Sequence, residues 1–180
     1  MDALPSFTTS RLILRPRGPC DVEACVAMDS DPEVRRYLPA DIRDDFDAEE
    51  HRQVLSNRTR MSWGPGLGYW VIESKADVGV FCGWIMLTPL ADEGPGIEIG
   101  WRLPQLCWGR GFATEAASTI LRYGFATLGL DEIIAVIDPE NLRSKRVATR
   151  IGLRAIGRKR AYGVDLELYA FTNTEFAQGK

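Results

Sequence analysis

The sequence lacks the residue combinations that define several functional classes. Its single histidine, His51, has no cysteine neighbour, and none of the four cysteines forms a Cys-x-x-Cys pair. A metal site is therefore not expected. No apolar run approaches the roughly 20 residues that a membrane-spanning helix needs, and residues 1–17 hold no apolar segment of signal-peptide length. We therefore expect a cytoplasmic protein with free thiols.

An excess of positive charge is also absent. With 22 basic and 25 acidic side chains, the net charge is −3, which argues against a general DNA-binding protein. Acidic side chains crowd residues 41–50, whereas residues 141–164 hold eight basic side chains and no acid. A cationic ligand would favour the first segment and a polyanionic ligand the second. Two solvated faces that balance each other are the alternative interpretation.

The hydrophobic pattern predicts one mixed α/β domain over residues 1–180. Its clearest element is a helix from Phe112 to Leu128, whose apolar residues recur with a period of 3.6. Residues 69–74 and 79–88 are two apolar runs typical of an antiparallel hairpin. The remaining predicted strands are 11–15, 97–103, 132–137, 153–156 and 164–171, and the remaining helices begin at Asp21, Asp31, Asp47 and Asn141.

A glycine-rich loop joins the strand at 97–103 to the helix at Phe112. Gly109 and Gly111 would let a phosphate approach the free N–H groups of the helix N-terminus. Arg110 adds a cation and Thr114 a hydroxyl, so the loop suits a pyrophosphate. A tight strand-to-helix turn is the alternative. No Lys-Ser or Lys-Thr follows the glycines and no G-x-G-x-x-G occurs here, which argues against nucleoside-triphosphatase and dinucleotide folds.

Four ordered stretches carry a family resemblance: IEIGWRL (97–103), WGRGFATEA (108–116), DPENLRSKRV (138–147) and IGL (151–153). They resemble the acetyl-CoA-binding core of the GNAT acyltransferase superfamily, in its RimJ/RimL-like branch of ribosomal-protein N-terminal acetyltransferases. Residues 9–16, 31–39 and 163–170 are also similar to that branch. The resemblance implies the GNAT fold, a mixed central sheet with a splayed strand pair flanked by helices. It also implies acetyl transfer from acetyl-CoA to a protein N-terminal or small-molecule amine, by direct attack in a ternary complex.

The resemblance further implies a binding site for acetyl-CoA. Backbone groups near Trp101 and Leu103 would pair with the pantetheine arm, and N–H groups from Gly109 to Thr114 would hold the pyrophosphate. The basic run after residue 142 would meet the 3′-phosphate. The implied cofactor-binding residues are Trp101, Leu103, Trp108, Gly109, Arg110, Gly111, Phe112, Ala113, Thr114, Asn141, Ser144 and Arg146.

Two residues are predicted to carry the chemistry. Glu98 is the candidate general base, because a carboxylate can take the amine proton directly or through water, and similar proteins have a base there. A salt-bridged strand glutamate is the alternative. Ser144 is the candidate residue to donate a hydrogen bond to the thiolate or to orient a water, with helix capping by Asn141 and Ser144 as the alternative. Many superfamily members use a tyrosine acid where this chain has Ala148, so that acid is not expected here.

The acceptor is the least determined part. The acidic residues 41–50 fall where similar proteins line the acceptor side, and they would attract a cationic amine. Tyr37 and Trp84 are candidate walls, with Trp63 and Trp70 beside them; ordinary packing is the alternative for each. His51 is interpreted as a surface residue. A homodimer is common among similar proteins, and ribosome association through the basic half is a weaker alternative. The competing function is a non-catalytic acyl-CoA sensor or interaction module on the same fold.

Overall fold

A computed structural model of the chain describes residues 4–77, 79–90 and 96–179. Within these residues the chain forms eight strands and seven α-helices. The strands are β1 (Phe7–Thr8), β2 (Leu12–Pro16), β3 (Gly68–Ser74), β4 (Phe81–Pro89), β5 (Ile97–Arg102), β6 (Glu132–Ile137), β7 (Arg154–Ala161) and β8 (Val164–Thr172). The helices are α1 (Val22–Asp29), α2 (Pro32–Arg35), α3 (Ala40–Arg43), α4 (Ala48–Arg58), α5 (Phe112–Ala126), α6 (Leu142–Arg150) and α7 (Asn173–Ala177).

The strands form one mixed sheet in the order β1-β2-β3-β4-β5-β6-β8-β7. Only the β5–β6 pair is parallel in the described part of the chain. The registered contact of that pair is Glu98 opposite Ile134, whereas β5 pairs with β4 along its full length. Beyond Glu98, β5 and β6 therefore diverge. This confirms the predicted mixed sheet with a splayed strand pair.

Side-chain alternation gives the sheet two different faces. One face packs Trp70, Ile85, Leu87 and Ile99 against the apolar stripe of α5. Each buried Leu or Ile contributes about 1.5–3 kcal/mol to stability, and truncating Ile120 in the middle of that stripe would cost about 2–5 kcal/mol. The other face presents side chains of β4 to helices α1 and α4. This second face of β5 carries Glu98 and Arg102.

The structure extends the last hairpin beyond its prediction. The first strand was expected at 153–156, but β7 runs from Arg154 to Ala161. It lies at the edge of the sheet, and most of its residues are exposed. An exposed edge strand needs no alternation of apolar and polar residues. The basic sequence of β7 therefore gives no pattern from which the full strand could be predicted. The short elements β1 and α7 were also not predicted, because neither is long enough to show a period.

None of the helices in the described ranges is long and apolar enough to cross a membrane. Trp70, predicted as a candidate cleft wall, is instead fully buried, and its indole Nε1 donates to the Pro5 carbonyl at 2.7 Å. Its ring packs on the α5 side of the sheet. Trp70 is therefore a core residue, and the prediction that it lines the cleft is wrong.

Candidate functional site

The glycine loop leaves the N-terminus of α5 open. Gly109 and Gly111 have φ values of +71° and +78°, a left-handed conformation that glycine adopts without a steric penalty. Gly111 is the residue before the helix, and no side chain caps the helix there. The first N–H groups of a helix have no partner within the helix and carry partial positive charge. The loop therefore presents unpaired donors beside the end of β5.

Glu115 fastens this loop to the turn between β1 and β2. Its carboxylate accepts hydrogen bonds from Thr9 Oγ1 at 2.6 Å, Ser10 Oγ at 3.0 Å and the Arg11 backbone N–H at 3.0 Å. Arg11 also donates through Nε to Glu115 at 2.7 Å and through Nη1 to the Arg110 carbonyl at 2.8 Å. Burial alone would raise the pKa of Glu115, but these hydrogen bonds lower it to about 2. Glu115 is thus ionised, its negative charge is offset by Arg11, and the loop is held in place.

A cavity of about 400 Å³ lies between this loop, α6 and the end of β5. Its lining includes every residue that was predicted to bind the cofactor except Arg110: Trp101, Leu103, Trp108, Gly109, Gly111, Phe112, Ala113, Thr114, Asn141, Ser144 and Arg146. Arg110 is exposed, with its guanidinium carbon 4.5 Å from the Phe112 ring centroid. The Leu103 carbonyl accepts a hydrogen bond from Trp108 Nε1 at 2.7 Å. The prediction was that backbone groups near Leu103 are free to pair with the pantetheine arm. The Leu103 carbonyl is instead already bonded to Trp108.

Three arginines of α6 line the same cavity. Arg143, Arg146 and Arg150 are spaced at i, i+3 and i+7, which places them along one side of the helix. The guanidinium carbon of Arg143 lies 4.2 Å from the Trp108 ring centroid. Within the described residues none of the three forms an ion pair. Their uncompensated charge makes this cavity attractive to an anion.

A second cavity of about 240 Å³ meets the first on the other side of β5. The residues that line both cavities are Tyr37, Leu38, Trp101, Arg102, Asn141 and Ser144. Trp84 and Trp63 line the second cavity but not the first. The predicted wall residues Tyr37 and Trp84 are thus both at this cavity, and Ser144 lies where the two cavities join.

Glu98 is a buried carboxylate in the second cavity. It is 4% exposed, and it accepts hydrogen bonds from the Tyr162 hydroxyl and from the Val136 backbone. Burial raises the pKa of Glu98 from 4.5 to about 7, although both hydrogen bonds oppose the rise. It forms no ion pair within the described ranges, so the salt-bridge interpretation is wrong. A carboxyl group that titrates near neutral pH suits proton transfer.

The partner of Glu98, Tyr162, was not predicted as a site residue. Tyr162 and Gly163 form the turn between β7 and β8, with φ values of +55° and +76°, as a two-residue hairpin turn requires. Burial and the neighbouring Glu98 raise the pKa of the Tyr162 hydroxyl. The Tyr-Gly pair between two strands signals a turn, but no local pattern signals a contact across 64 positions.

Asn141 and Ser144 have separate roles in the structure. Asn141 Oδ1 accepts the Ser144 backbone N–H at 3.1 Å and so caps α6. The Ser144 hydroxyl has no hydrogen bond to any described residue, and it lies at the junction of the two cavities. Ala148, at the position where many superfamily members have a tyrosine acid, is fully buried in the core. Capping therefore accounts for Asn141 but leaves the Ser144 hydroxyl unassigned.

His51 belongs to a buried charge network, so its interpretation as a surface residue is wrong. Its Nε2 lies 2.8 Å from Oδ2 of Asp29, which also accepts Arg102 Nη1 at 2.9 Å. Asp29 is fully buried. Burial would raise its pKa, but Arg102 and His51 outweigh that effect and hold the pKa below its ordinary value. This network fixes Arg102 where β5 passes between the two cavities.

The acidic segment 41–50 does not line the second cavity with any described carboxylate. Asp44 pairs with Arg43 at 2.7 Å, Asp47 caps α4, and Glu49 bonds to Arg52. Asp41 has its side chain outside the described residues. The expectation that this segment lines the acceptor side is therefore wrong for the described carboxylates, which are exposed outside the cavity. That they attract a cationic acceptor stays a prediction.

Comparison with known proteins identifies the family. The sequence model named "Acetyltransferase (GNAT) domain" matches residues 11–154. The chain belongs to the GNAT acetyltransferase family. It is 32% identical over 160 residues to the FsC-acetyl coenzyme A-N(2)-transacetylase of Aspergillus fumigatus, and the match covers 84% of this chain and 66% of that protein. The chain thus spans slightly less than two thirds of the fungal protein.

Solved structures of GNAT proteins share this fold. A GNAT-family acetyltransferase from Bacillus anthracis is 27% identical with a TM-score of 0.76, and the match covers 95% of this chain and 100% of that one. RimJ from Mycobacterium smegmatis, solved with CoA-disulfide, is 23% identical with a TM-score of 0.69, covering 91% of this chain and 83% of that one. The chain is a GNAT-family N-acetyltransferase, and such enzymes use acetyl-CoA as cosubstrate. The described ranges place no group of three or more His, Cys, Asp or Glu side chains to hold a metal ion.

Proposed function

We propose that this enzyme transfers an acetyl group from acetyl-CoA to a primary amine, with the donor in the larger cavity and the acceptor in the smaller one. The observation that carries this proposal is the junction of the two cavities at Ser144. An anion-binding helix N-terminus opens on one side of it and the buried carboxylate of Glu98 on the other. Such a junction lets an amine approach a thioester without either group entering bulk water.

The donor cavity has the groups that acetyl-CoA needs. The N–H groups between Gly109 and Thr114 would hold the pyrophosphate, as helix N-termini commonly do. The α6 arginines Arg143, Arg146 and Arg150 would offset the phosphate charge. The divergence of β5 from β6 leaves backbone near Trp101 for the pantetheine arm. Arg110 is left out of this set because its side chain lies outside the cavity.

Glu98 would act as the general base. The bond from nitrogen to the acetyl carbon forms, the bond from that carbon to sulfur breaks, and Glu98 accepts the proton that the amine loses. Its raised pKa, about 7, leaves a carboxylate basic enough to accept that proton and largely ionised above neutral pH. Tyr162 would position the carboxylate. Ser144, whose hydroxyl is otherwise unpartnered, would donate a hydrogen bond to the sulfur as it leaves, and solvent would supply the thiol proton.

We further propose that residues 1–180 act as one domain in the cytoplasm. All four cysteines are free thiols, including the exposed Cys20, which suits a reducing compartment. A peptide N-terminus and a small-molecule amine are both acceptors of the proposed class. Homodimer formation and ribosome association are tested directly by the mass of the protein in solution and by co-sedimentation with ribosomes at low and high salt.

The proposal is tested by incubating the enzyme with labelled acetyl-CoA and an amine panel. The panel contains amino acids, diamines, aminoglycosides and peptides with free N-termini, and the readouts are CoA thiol release and product mass. We expect acetylated product with at least one class, and Glu98→Gln should lower its kcat by about 10²–10⁴-fold. Glu140→Gln, which removes an exposed carboxylate outside both cavities, is the matched control. Binding of acetyl-CoA without turnover on any amine would instead support the sensor function.

A further inference from the structure

Arg17 lines the acceptor cavity and forms no ion pair with any described residue. It follows β2, and its backbone N–H donates to the Tyr69 carbonyl at 2.9 Å. Its guanidinium carbon stacks 3.9 Å from the Tyr69 ring centroid. Two positions earlier, Arg15 is bonded to Asp21 at 2.6 and 2.9 Å and to Glu73 at 2.7 Å. Among the described residues no comparable carboxylate bonds to Arg17, and its Nη2 is buried without a hydrogen-bond partner.

Arg58 brings a second cation to the same place. It is the last residue of α4, it lines the same cavity as Arg17, and it forms no ion pair within the described ranges. Burial lowers the pKa of Arg17 below its ordinary value, and the charge of Arg58 contributes to the lowering. A largely buried guanidinium group beside a second positive charge is costly unless an anion pairs with it.

The described carboxylates of this cavity lie across the sheet from Arg17. The described carboxylates in its lining are Glu98 on β5 and Asp138, which follows β6. In the sheet, Arg17 lies opposite Tyr69 on β3. Tyr69 pairs with Met86 on β4, and β4 in turn pairs with β5. Three strand spacings, about 14 Å, therefore separate the Arg17 backbone from β5. The cavity thus has Arg17 at β2 and its described carboxylates at β5 and β6, where the charge of Arg102 is offset by Asp29 outside the lining.

The wall between Arg17 and these carboxylates is aromatic. The Tyr69 ring lies 5.4 Å from both Trp63 and Trp84, measured between centroids. Trp84 Nε1 is a second buried donor without a partner in the described part of the chain. Unpaired buried donors each cost about 1–3 kcal/mol. A ligand with acceptor oxygens would therefore stabilise this cavity by accepting hydrogen bonds from Arg17 Nη2 and Trp84 Nε1.

We infer that the acceptor amine also carries a carboxylate, which binds between Arg17 and Arg58 while its amino group reaches Glu98. This inference rests on the proposed acetyl transfer and names its substrate class. A guanidinium group matches a carboxylate through two parallel N–H donors, so Arg17 fits this role better than a lysine would. The opposite charges of Arg17 and Glu98 match the opposite charges of an amino acid. The aromatic wall covers the apolar carbon chain between them.

The test compares amino acids with neutral analogues of the same length. The substrates are ω-amino acids from glycine to 6-aminohexanoate, the amides of the same acids, and alkylamines and diamines of equal chain length. We expect kcat/KM for the best acid to exceed that for its amide by about tenfold to a hundredfold, mainly through KM, as loss of a charge-assisted hydrogen bond implies. Equal values for acid and amide, or a preference for diamines, would overturn the inference.

Variants show whether the two arginines cause the preference. Arg17→Gln and Arg58→Gln should each bring the ratio of acid to amide kcat/KM towards one, and Arg17→Lys should restore only part of it. Arg60→Gln, two residues beyond Arg58 and outside the cavity lining, should keep the full ratio. Because Arg58 is exposed, its variant tests the inference even where Arg17→Gln fails to fold. An unchanged ratio in Arg58→Gln and in folded Arg17→Gln would refute the assignment.

The two proposals fail in different ways. If no amine of any charge is acetylated, the proposed function is wrong and the inference falls with it. If alkylamines and amides are acetylated as efficiently as the acids, the function stands and the inference about the carboxylate is wrong. If long peptides with a free N-terminus and a neutral C-terminus are the preferred substrates, the proposed function likewise stands and the inference about the carboxylate is wrong.

Discussion

Replacing Glu98 with glutamine should stabilise the protein at alkaline pH relative to acidic pH. Glu98 is 4% exposed and has no cationic partner in the described part of the chain. Burial raises its pKa from 4.5 to about 7. A carboxyl group whose pKa is raised by folding binds protons more tightly in the folded state. Its contribution to stability is therefore complete below pH 4.5 and is lost as the pH rises through 7.

The size of the effect follows from the pKa shift. At about 1.4 kcal/mol per pKa unit, the shift from 4.5 to about 7 corresponds to about 3 kcal/mol. Most of this loss, about 2 to 3 kcal/mol, falls between pH 5 and pH 8. Glutamine keeps the shape of the side chain but does not titrate. The exchange also alters the hydrogen bonds from Tyr162 and Val136, and that part of the change is independent of pH.

The assay is urea unfolding of the wild type and Glu98→Gln at pH 5 and pH 8. We expect the free energy of unfolding of the variant, relative to the wild type, to be larger at pH 8 than at pH 5 by about 2 to 3 kcal/mol. Glu132→Gln, which removes an exposed carboxylate at the start of β6, is the control for a change of net charge. A difference that is the same at both pH values would refute the reasoning that Glu98 is buried at an energetic cost.

Three other substitutions test neighbouring parts of the site. Tyr162→Phe removes a hydrogen bond that favours ionised Glu98, so the acid limb of the kcat/KM profile should move to higher pH; an unmoved limb would argue against the contact. Gly111→Ala puts a β-carbon on a residue with φ of +78°, 3.3 Å from Arg11 Nη2, and should weaken CoA binding in calorimetry about tenfold or more. Gly129→Ala carries a similar backbone penalty in open space and should lower only the melting temperature. Asp29→Ala should cost about 3–5 kcal/mol in urea unfolding, because it leaves Arg102 and His51 without their buried partner; a loss under 1 kcal/mol would contradict this.

Much of the donor side could be predicted because its signals are local. The glycines before α5, the apolar stripe of that helix and the cap at Asn141 all act within a few residues of chain. Their positions in sequence therefore translate directly into the open helix N-terminus and the α6 arginines. The splayed strand pair was also expected, but only through the family resemblance, because no local pattern states where two strands diverge.

The acceptor side was harder to predict because its contacts join distant segments. Tyr162 meets Glu98 across 64 positions, and Arg17 meets Tyr69 only through the pairing of β2 with β3. His51 looks like a surface residue in a polar helix until Asp29 and Arg102 are placed against it. The acidic run before α4 is prominent in the sequence, but its described carboxylates form local caps and ion pairs. The acidic run therefore did not identify the carboxylates that line this cavity, which are Glu98 and Asp138.

The most direct test of the central claim is the pH dependence of kcat/KM for the best amine, compared between the wild type and Glu98→Gln. If Glu98 is the base, the wild-type rate should fall below an apparent pKa near 7. The variant should be slower and should lack that limb, keeping only the dependence set by the amine itself. The same acid limb in both proteins, with similar rates at high pH, would contradict the assignment of Glu98 as the base.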